Sequence, residues 1–242
     1  MRHPEPRRAV RRRAVAGLSL VAAASVAVAA TYTPLFAAGD IRLRVPPGIG
    51  RADVLSLARV DARSNVFHLD TRAVEHRLED DPRILEARVT TSLPDGIAIE
   101  VVPRIAVAVV GVPGALVGAD GVVIGPAPAT TDLPALKRPD GRSLDPVGLE
   151  TAAAAALAIG PALRDDVDAV IVTPDGTLRV RLAIGFSATL GDASELEAKA
   201  ASLAALVAWV KREDVTVVSA DLTVPGSPTA TVSRRSGPVA IP

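Results

Sequence analysis

Hydrophobic positions in this chain change their spacing twice. Between Ala14 and Gly39 they are nearly continuous and no charge interrupts them. The segment before this run holds Arg2, Arg7, Arg8, Arg11, Arg12 and Arg13. A helix needs about 20 apolar residues to cross a bilayer, rising about 1.5 Å per residue. The run therefore predicts an uncleaved anchor or a secretory signal peptide. A signal peptide shares the basic start and apolar middle, and Ala27-Val28-Ala29 offers the small residues of a cleavage site. An anchor would bring Tyr32 and Phe36 to the outer interface. The Arg-Arg pair is not followed by the Phe-Leu-Lys of a twin-arginine signal. Under either reading the arginines, with Arg11, Arg12 and Arg13 nearest the run, keep the tail cytoplasmic and send the rest of the chain across.

After Asp40 the spacing becomes that of an ordinary folded domain. Residues 41–45 alternate as a short strand ended by Pro46-Pro47-Gly48. Val54, Leu57 and Ala58 share one face of a short helix. Asp70 or Thr71 can cap a second helix with Val74 and Leu78 on one side, stopped by Asp80-Asp81-Pro82. Ala87, Val89 and Thr91 alternate with polar residues, Leu93-Pro94-Asp95-Gly96 turns the chain, and Ile97, Ile99 and Val101 return. The predicted order is β-α-α-β-β, a small sheet with two helices on one face.

Beyond residue 105 Gly and Pro break the pattern into short strands at 105–110, 115–118 and 122–124, with Asp120-Gly121 as a hairpin turn. Asp145-Pro146 starts a helix that Gly160-Pro161 ends. Strands at 169–172 and 177–182 flank Pro174-Asp175-Gly176. The longest helix carries Leu196, Ala200, Leu203, Val207 and Val210 as one stripe. Strands at 216–218 and 229–232 close the pattern, joined through 220–224 and Pro225-Gly226-Ser227-Pro228. The predicted class is α+β: a single N-terminal membrane helix, then a β-α-α-β-β domain, then a β-rich domain with helices packed on a mixed sheet. The expected segments are a basic tail at 1–13, the membrane helix at 14–36, the two domains at 39–106 and 107–232, and a disordered tail at 233–242.

Charge sharpens this picture. The 27 basic and 27 acidic residues cancel, but residues 1–13 hold six Arg and one Glu, which leaves 21 basic against 26 acidic afterwards. A mildly acidic exterior lacks the basic footprint of a nucleic-acid binder. There is no cysteine, so an exported chain must hold together without disulfides, and thiol catalysis and thiolate metal sites are excluded.

Other chemistry is equally sparse. His3, His68 and His76 are the three histidines, and the last two flank a helix where solvated histidines are common. Gly185-Phe186-Ser187-Ala188-Thr189 lacks the second glycine of a nucleophile elbow, and no Ser-x-x-Lys occurs. Gly48-Ile49-Gly50 lacks the third glycine of a nucleotide loop. Glu79-Asp80-Asp81 has the spacing of no calcium loop and reads as a solvated helix end. Asp120 and Asp175 are turn residues, and Trp209 lies one position off the long helix's stripe, as packing. No catalytic, cofactor-binding or metal-binding residue is expected, nor a small-molecule substrate, and the chain reads as a non-enzyme.

The assembled pattern resembles the FtsQ/DivIB family of bacterial cell-division proteins. The resemblance runs through Phe67-His68-Leu69-Asp70 with Val74 and Leu78, through 81–89, and through the hairpin at 93–101. It continues in 116–123, 132–136, Leu190-Gly191-Asp192, Lys199 and Ala220-Asp221-Leu222. Pro103-Arg104 stands where the family usually has Glu-Arg, and polar residues around Ser64-Asn65 replace an expected glycine. The resemblance implies an uncleaved anchor, a POTRA domain followed by a β domain, and a non-catalytic divisome scaffold at the septal cell membrane. It also implies that divisome membrane proteins of the FtsB/FtsL type add a strand to the sheet's last edge. That edge would be Thr229, Ala230, Thr231 and Val232, with Leu222 and Val224 beside it. Two other functions compete: a cleaved, exported POTRA-like envelope adaptor without a division role, and an envelope hydrolase that would need paired carboxylates across a cleft.

Overall fold

A computed structural model of the chain describes residues 6–213 and 215–233, with side chains from residue 16 onward. Residues 1–5 of the basic tail expected at 1–13 and residues 234–242 of the disordered tail expected at 233–242 lie outside the described residues, as do the side chains of Arg11, Arg12 and Arg13; Ser233 is the last residue of a strand. The chain divides into two compact units, Met1–Pro103 and Arg104–Pro242.

The first unit opens with α1 (Pro6–Ala30). The helix stops at Ala30 instead of continuing to residue 36. Pro34 cannot continue a helical ladder, and the Thr31 and Thr33 hydroxyls donate to the Val28 and Ala30 carbonyls, both at 2.7 Å, which satisfies the frayed end. A single 3-10 turn, Pro34–Phe36, follows. The described side chains of α1 cover 16–30, and among the described residues no helix is long and apolar enough to cross a membrane.

The rest of the unit is β1 (Asp40–Arg44), α2 (Arg51–Ala58), α3 (Thr71–Glu79), β2 (Ile84–Ser92) and β3 (Gly96–Pro103). The sheet order is β1-β3-β2, with β1 parallel to β3 and β2 antiparallel to it. The order of elements is the one the hydrophobic spacing predicts. Asp70 caps α3 by accepting the Ala73 N–H at 3.1 Å. Val54, Val74 and Leu78 from the helices meet Ile84, Ile97 and Ile99 from the sheet, all at most 1% exposed. Arg77 donates to the Ala58 carbonyl at 2.8 Å and ties α3 to the end of α2.

The outer edge of β2 is covered from within the unit. Glu75 and Glu79, one turn apart on α3, accept the N–H groups of Val89 at 2.8 Å and Ala87 at 3.1 Å. Residues two apart on an edge strand point their N–H groups the same way. Two carboxylates therefore occupy the donors an incoming strand would need.

Among the described residues the second unit is one mixed sheet with two α-helices and a 3-10 helix at Pro161–Asp166. Its strands are β4 (Ala106–Val110), β5 (Ala115–Gly118), β6 (Val123–Pro126), β7 (Ala135–Lys137), β8 (Val167–Val172), β9 (Leu178–Leu182), β10 (Ser187–Gly191), β11 (Thr216–Asp221) and β12 (Thr229–Ser233). They lie in the order β12-β11-β10-β9-β8-β7-β4-β5-β6. The parallel pairs are β4–β7, β7–β8 and β10–β11. Helix α4 (Pro146–Ile159) connects β7 to β8, and α5 (Leu196–Glu213) connects β10 to β11, as parallel neighbours require. Asp145 caps α4 through the Gly148 N–H at 2.7 Å. The α5 stripe Leu196, Ala200, Leu203, Val207 and Val210 is buried as its spacing predicts. Gly121 turns between β5 and β6 at φ +76°, and a Cβ there would stand 2.8 Å from the Glu150 Cα.

Replacing both Glu75 and Glu79 by Ala should open the β2 edge. Water can then take the freed N–H groups, so each lost intramolecular hydrogen bond costs about 0.5–1.5 kcal/mol. Urea unfolding should show reduced stability, and light scattering should show concentration-dependent association that the parent chain lacks.

Candidate partner-binding edge

Among the described residues the β12 end of the large sheet has no such cover. β12 pairs with β11 antiparallel, setting Val217 opposite Val232, Ser219 opposite Thr231, Ala220 opposite Ala230 and Asp221 opposite Thr229. A register shift between Val217 and Ser219 marks a bulge, which bends and twists the edge. All five β12 residues are exposed, and among the described residues no strand pairs with the outer side of β12.

Alternation along β12 divides its side chains between the two faces. Thr229 and Thr231 fall on the face away from the helices. There they join Arg179 from β9, Ser187 and Thr189 from β10, and Asp221 from β11 around an open polar hollow of about 330 Å³. Ala230 and Val232 take the opposite face, and Val232 is 46% exposed. Val224, in the loop before β12, is 60% exposed. A strand added at this edge would meet backbone donors and acceptors in the middle, hydroxyls on one side and apolar groups on the other.

Leu222 is placed differently from the other expected contacts. Its side chain is fully buried, and its N–H donates to the Thr189 carbonyl at 2.8 Å. It cannot face a partner; it pins the β11–β12 connection down on β10. Two further contacts fasten that connection. Thr223 donates its N–H to Asp221 at 2.9 Å, and Ser202 on α5 donates to the Pro225 carbonyl at 3.0 Å. The Thr223 hydroxyl and N–H together hold the Asp221 carboxyl below its usual pKa.

Sequence spacing alone does not reveal the role of Lys199. It sits on α5 with 1% of its surface exposed, and its Nζ donates to the Asp192 carbonyl at 2.9 Å and to Oδ1 at 2.8 Å. The ammonium thereby clamps the turn after β10, beneath the same hairpin. Lys199 and the Ser194 hydroxyl bring the Asp192 pKa down to about 2. The available signal is a cation inside the apolar face set by Leu196, Ala200 and Leu203, with an acid seven residues earlier.

The other polar residues singled out in the sequence serve the fold. Asp120 accepts from Arg104 at 2.9 Å, and Asp175 accepts from the Thr173 and Thr177 hydroxyls within its turn. Asp81 accepts both Nε and Nη2 of Arg83, which lowers its pKa. His76 stands exposed, 3.9 Å from Glu79. His68 meets Thr31 at 2.8 Å, and Trp209 is partly buried against the core. Among the described residues no three His, Asp or Glu side chains gather as a metal site.

A three-stranded β-α-α-β-β unit joined to a mixed sheet with an open terminal edge defines the class as a POTRA-bearing α+β protein. Residues 48–104 match the family described as "POTRA domain, FtsQ-type". The chain is 30% identical over 217 residues to the cell division protein FtsQ of Mycolicibacterium smegmatis, covering 84% of this chain and 64% of that protein. It is 27% identical to FtsQ of Mycobacterium bovis over 178 residues, covering 73% of this chain and 56% of that protein. It is 40% identical to FtsQ of Syntrophotalea carbinolica over 62 residues, 26% of this chain and 22% of that protein. The chain carries an FtsQ-type POTRA domain and is similar to these cell-division proteins, and it spans less than two thirds of their length.

Because its folded-state pKa lies below the ordinary 3.8, ionised Asp192 contributes stability that is full above pH 4 and is lost as the pH falls toward about 2. Asp192→Asn should lower the melting temperature at pH 7 and weaken the further fall between pH 4 and 2. Circular dichroism melts of the parent and variant across that window measure the difference.

Proposed function

We propose that this chain is a non-catalytic scaffold of bacterial cell division, anchored in the cell membrane by its N-terminal helix with both folded units outside. It would join other divisome membrane proteins, of the FtsB/FtsL type, by adding a partner strand to β12. The observation that carries this reading is the uncovered β12 edge. The opposite treatment of β2, where Glu75 and Glu79 take the outward donors, shows how this fold closes an edge that must stay unpaired. The resemblance to cell-division FtsQ proteins supports the division role.

The anchor reading draws on α1. Its uncharged part, residues 14–30, reaches about 26 Å at 1.5 Å per residue, at the short end of the about 17–25 residues that span a bilayer. Leu18, Leu20, Val21 and Val26 are each more than 60% exposed, so these side chains pack on nothing among the described residues. The arginines at 11–13 would hold its start in the cytoplasm.

Proline substitutions test the edge, because successive N–H groups of a strand point to opposite sides. Of Ala230→Pro and Thr231→Pro, the one that removes an outward donor should abolish capture of the FtsB-type partner at an unchanged melting temperature. The other should break the β11 ladder and lower stability. Full capture by both variants, each folded, would discard the edge. The anchor is tested by mass spectrometry of the mature protein: an intact arginine-rich start is expected, and a chain beginning at Ala30 would favour the exported adaptor.

A further inference from the structure

The chain has three Phe, one Tyr and one Trp. Three of these five rings, Tyr32, Phe36 and Phe67, meet where α1 ends. Tyr32 stacks on the His68 ring at 4.2 Å, and Phe67 contacts Phe36 at 5.7 Å and His68 at 5.3 Å, both edge to face. Such a cluster in a domain core would be buried. Here Tyr32 is 68% exposed, the neighbouring Leu35 67% and Phe67 50%. Val66, one residue from Phe67, is 3% exposed and belongs to the POTRA core. The loop therefore divides its apolar residues between the core behind it and a surface in front.

That surface is tied to the helix end. Asn65 Nδ2 donates to the Thr31 carbonyl at 2.7 Å, and the Thr31 hydroxyl meets His68 Nε2 at 2.8 Å. The Val66 N–H donates to the Phe36 carbonyl at 2.8 Å, and the Ala38 N–H donates to the Ser64 carbonyl at 2.9 Å. Four hydrogen bonds thus fix residues 64–68 to the segment directly following α1. Wherever the helix leaves the bilayer, Phe67 is carried with it. Exposed Arg59 and Arg63 flank this loop, with Asp61 between them.

We propose that residues 31–36 and 61–68 form one seat that rests this POTRA domain on the lipid surface at the exit of α1. The inference builds on the anchor reading. Tyr32, Leu35 and Phe67 would lie at the level of the lipid headgroups, where amphipathic and aromatic side chains concentrate. Arg63 would reach the phosphates. In a chain with so few rings, placing three beside an apolar helix end matches an interfacial belt and serves no packed core. The consequence is a POTRA domain held down on the membrane at that loop, not one swinging on a free tether.

The absence of cysteine makes single-site labels unambiguous. The full chain would be reconstituted in vesicles of phosphatidylcholine and phosphatidylglycerol, with an environment-sensitive fluorophore at Phe67→Cys or, separately, at Ala24→Cys. Lipids carrying a nitroxide near the headgroup or deep in the acyl chain serve as quenchers. The expected result is several-fold stronger quenching at 67 by the shallow nitroxide, and the reverse preference at 24. Adding Leu35→Glu should reduce the quenching at 67 several-fold while circular dichroism stays unchanged. Deep quenching at 24 with a water-like label at 67 would overturn the seat and leave the anchor standing. No quenching at either position would overturn both. Protection of 67 only in membranes from the native cell would assign the face to a protein partner and overturn the lipid assignment.

Discussion

A β-sheet must stop somewhere, and each stop leaves a row of backbone donors and acceptors without a strand to pair with. This chain resolves that constraint in two ways. At β2 the outward N–H groups of Ala87 and Val89 go to carboxylates from a helix of the same unit. At β12 no strand among the described residues takes them, and the strand is exposed along its whole length. Water satisfies those groups at little cost, so an open edge does not destabilise the unit; it leaves it able to take another strand. The remaining features of the second unit hold that edge in place. Leu222, Thr223 and Pro225 fasten the hairpin, and Lys199 holds the turn beneath it.

Much of this architecture is legible from residue spacing. The β-α-α-β-β unit is, because each element there has at least two apolar residues at its own period and a clear stop. Asp70, Asp145 and the Asp120-Gly121 turn act where capping and turn chemistry place them. β7 is not legible: three residues, Ala135–Lys137, are too few to show alternation, and pairing with β4 and β8 makes the strand. β10 does alternate, with Ala188 and Leu190 inward, but it opens on Ser187, closes on Gly191 and has Thr189 as its one β-branched residue. Its identity comes from lying between β9 and β11. The end of α1 is not legible, because the uncharged run continues past Ala30 while Pro34 and the two threonine hydroxyls decide where helical bonding stops.

The candidate edge was legible as a segment but not as a set of side chains. Thr229–Ser233 alternates weakly, and only its position at the end of the sheet gives it a free side. Leu222 shows the limit best. A leucine close to an exposed strand can face a partner or the core, and nothing local distinguishes the two; the hydrogen bond to Thr189 turns it inward. Lys199 fails for the opposite reason. Lysine is almost never fully buried unless it is paired, so its burial depends on Asp192, seven residues away across a turn.

The stop of α1 at Ala30 has a mechanical corollary. With 17 uncharged residues before it, the helix on its membrane reading has almost no surplus length to absorb by leaning. A longer span tilts to hide its excess, whereas a short one stands nearly upright or draws the bilayer thinner around itself. An upright post with a ring of threonine-satisfied carbonyls at its top fixes the height of the first residues outside. Membrane thickness, and not linker length, would then set the level at which the POTRA unit meets the lipid.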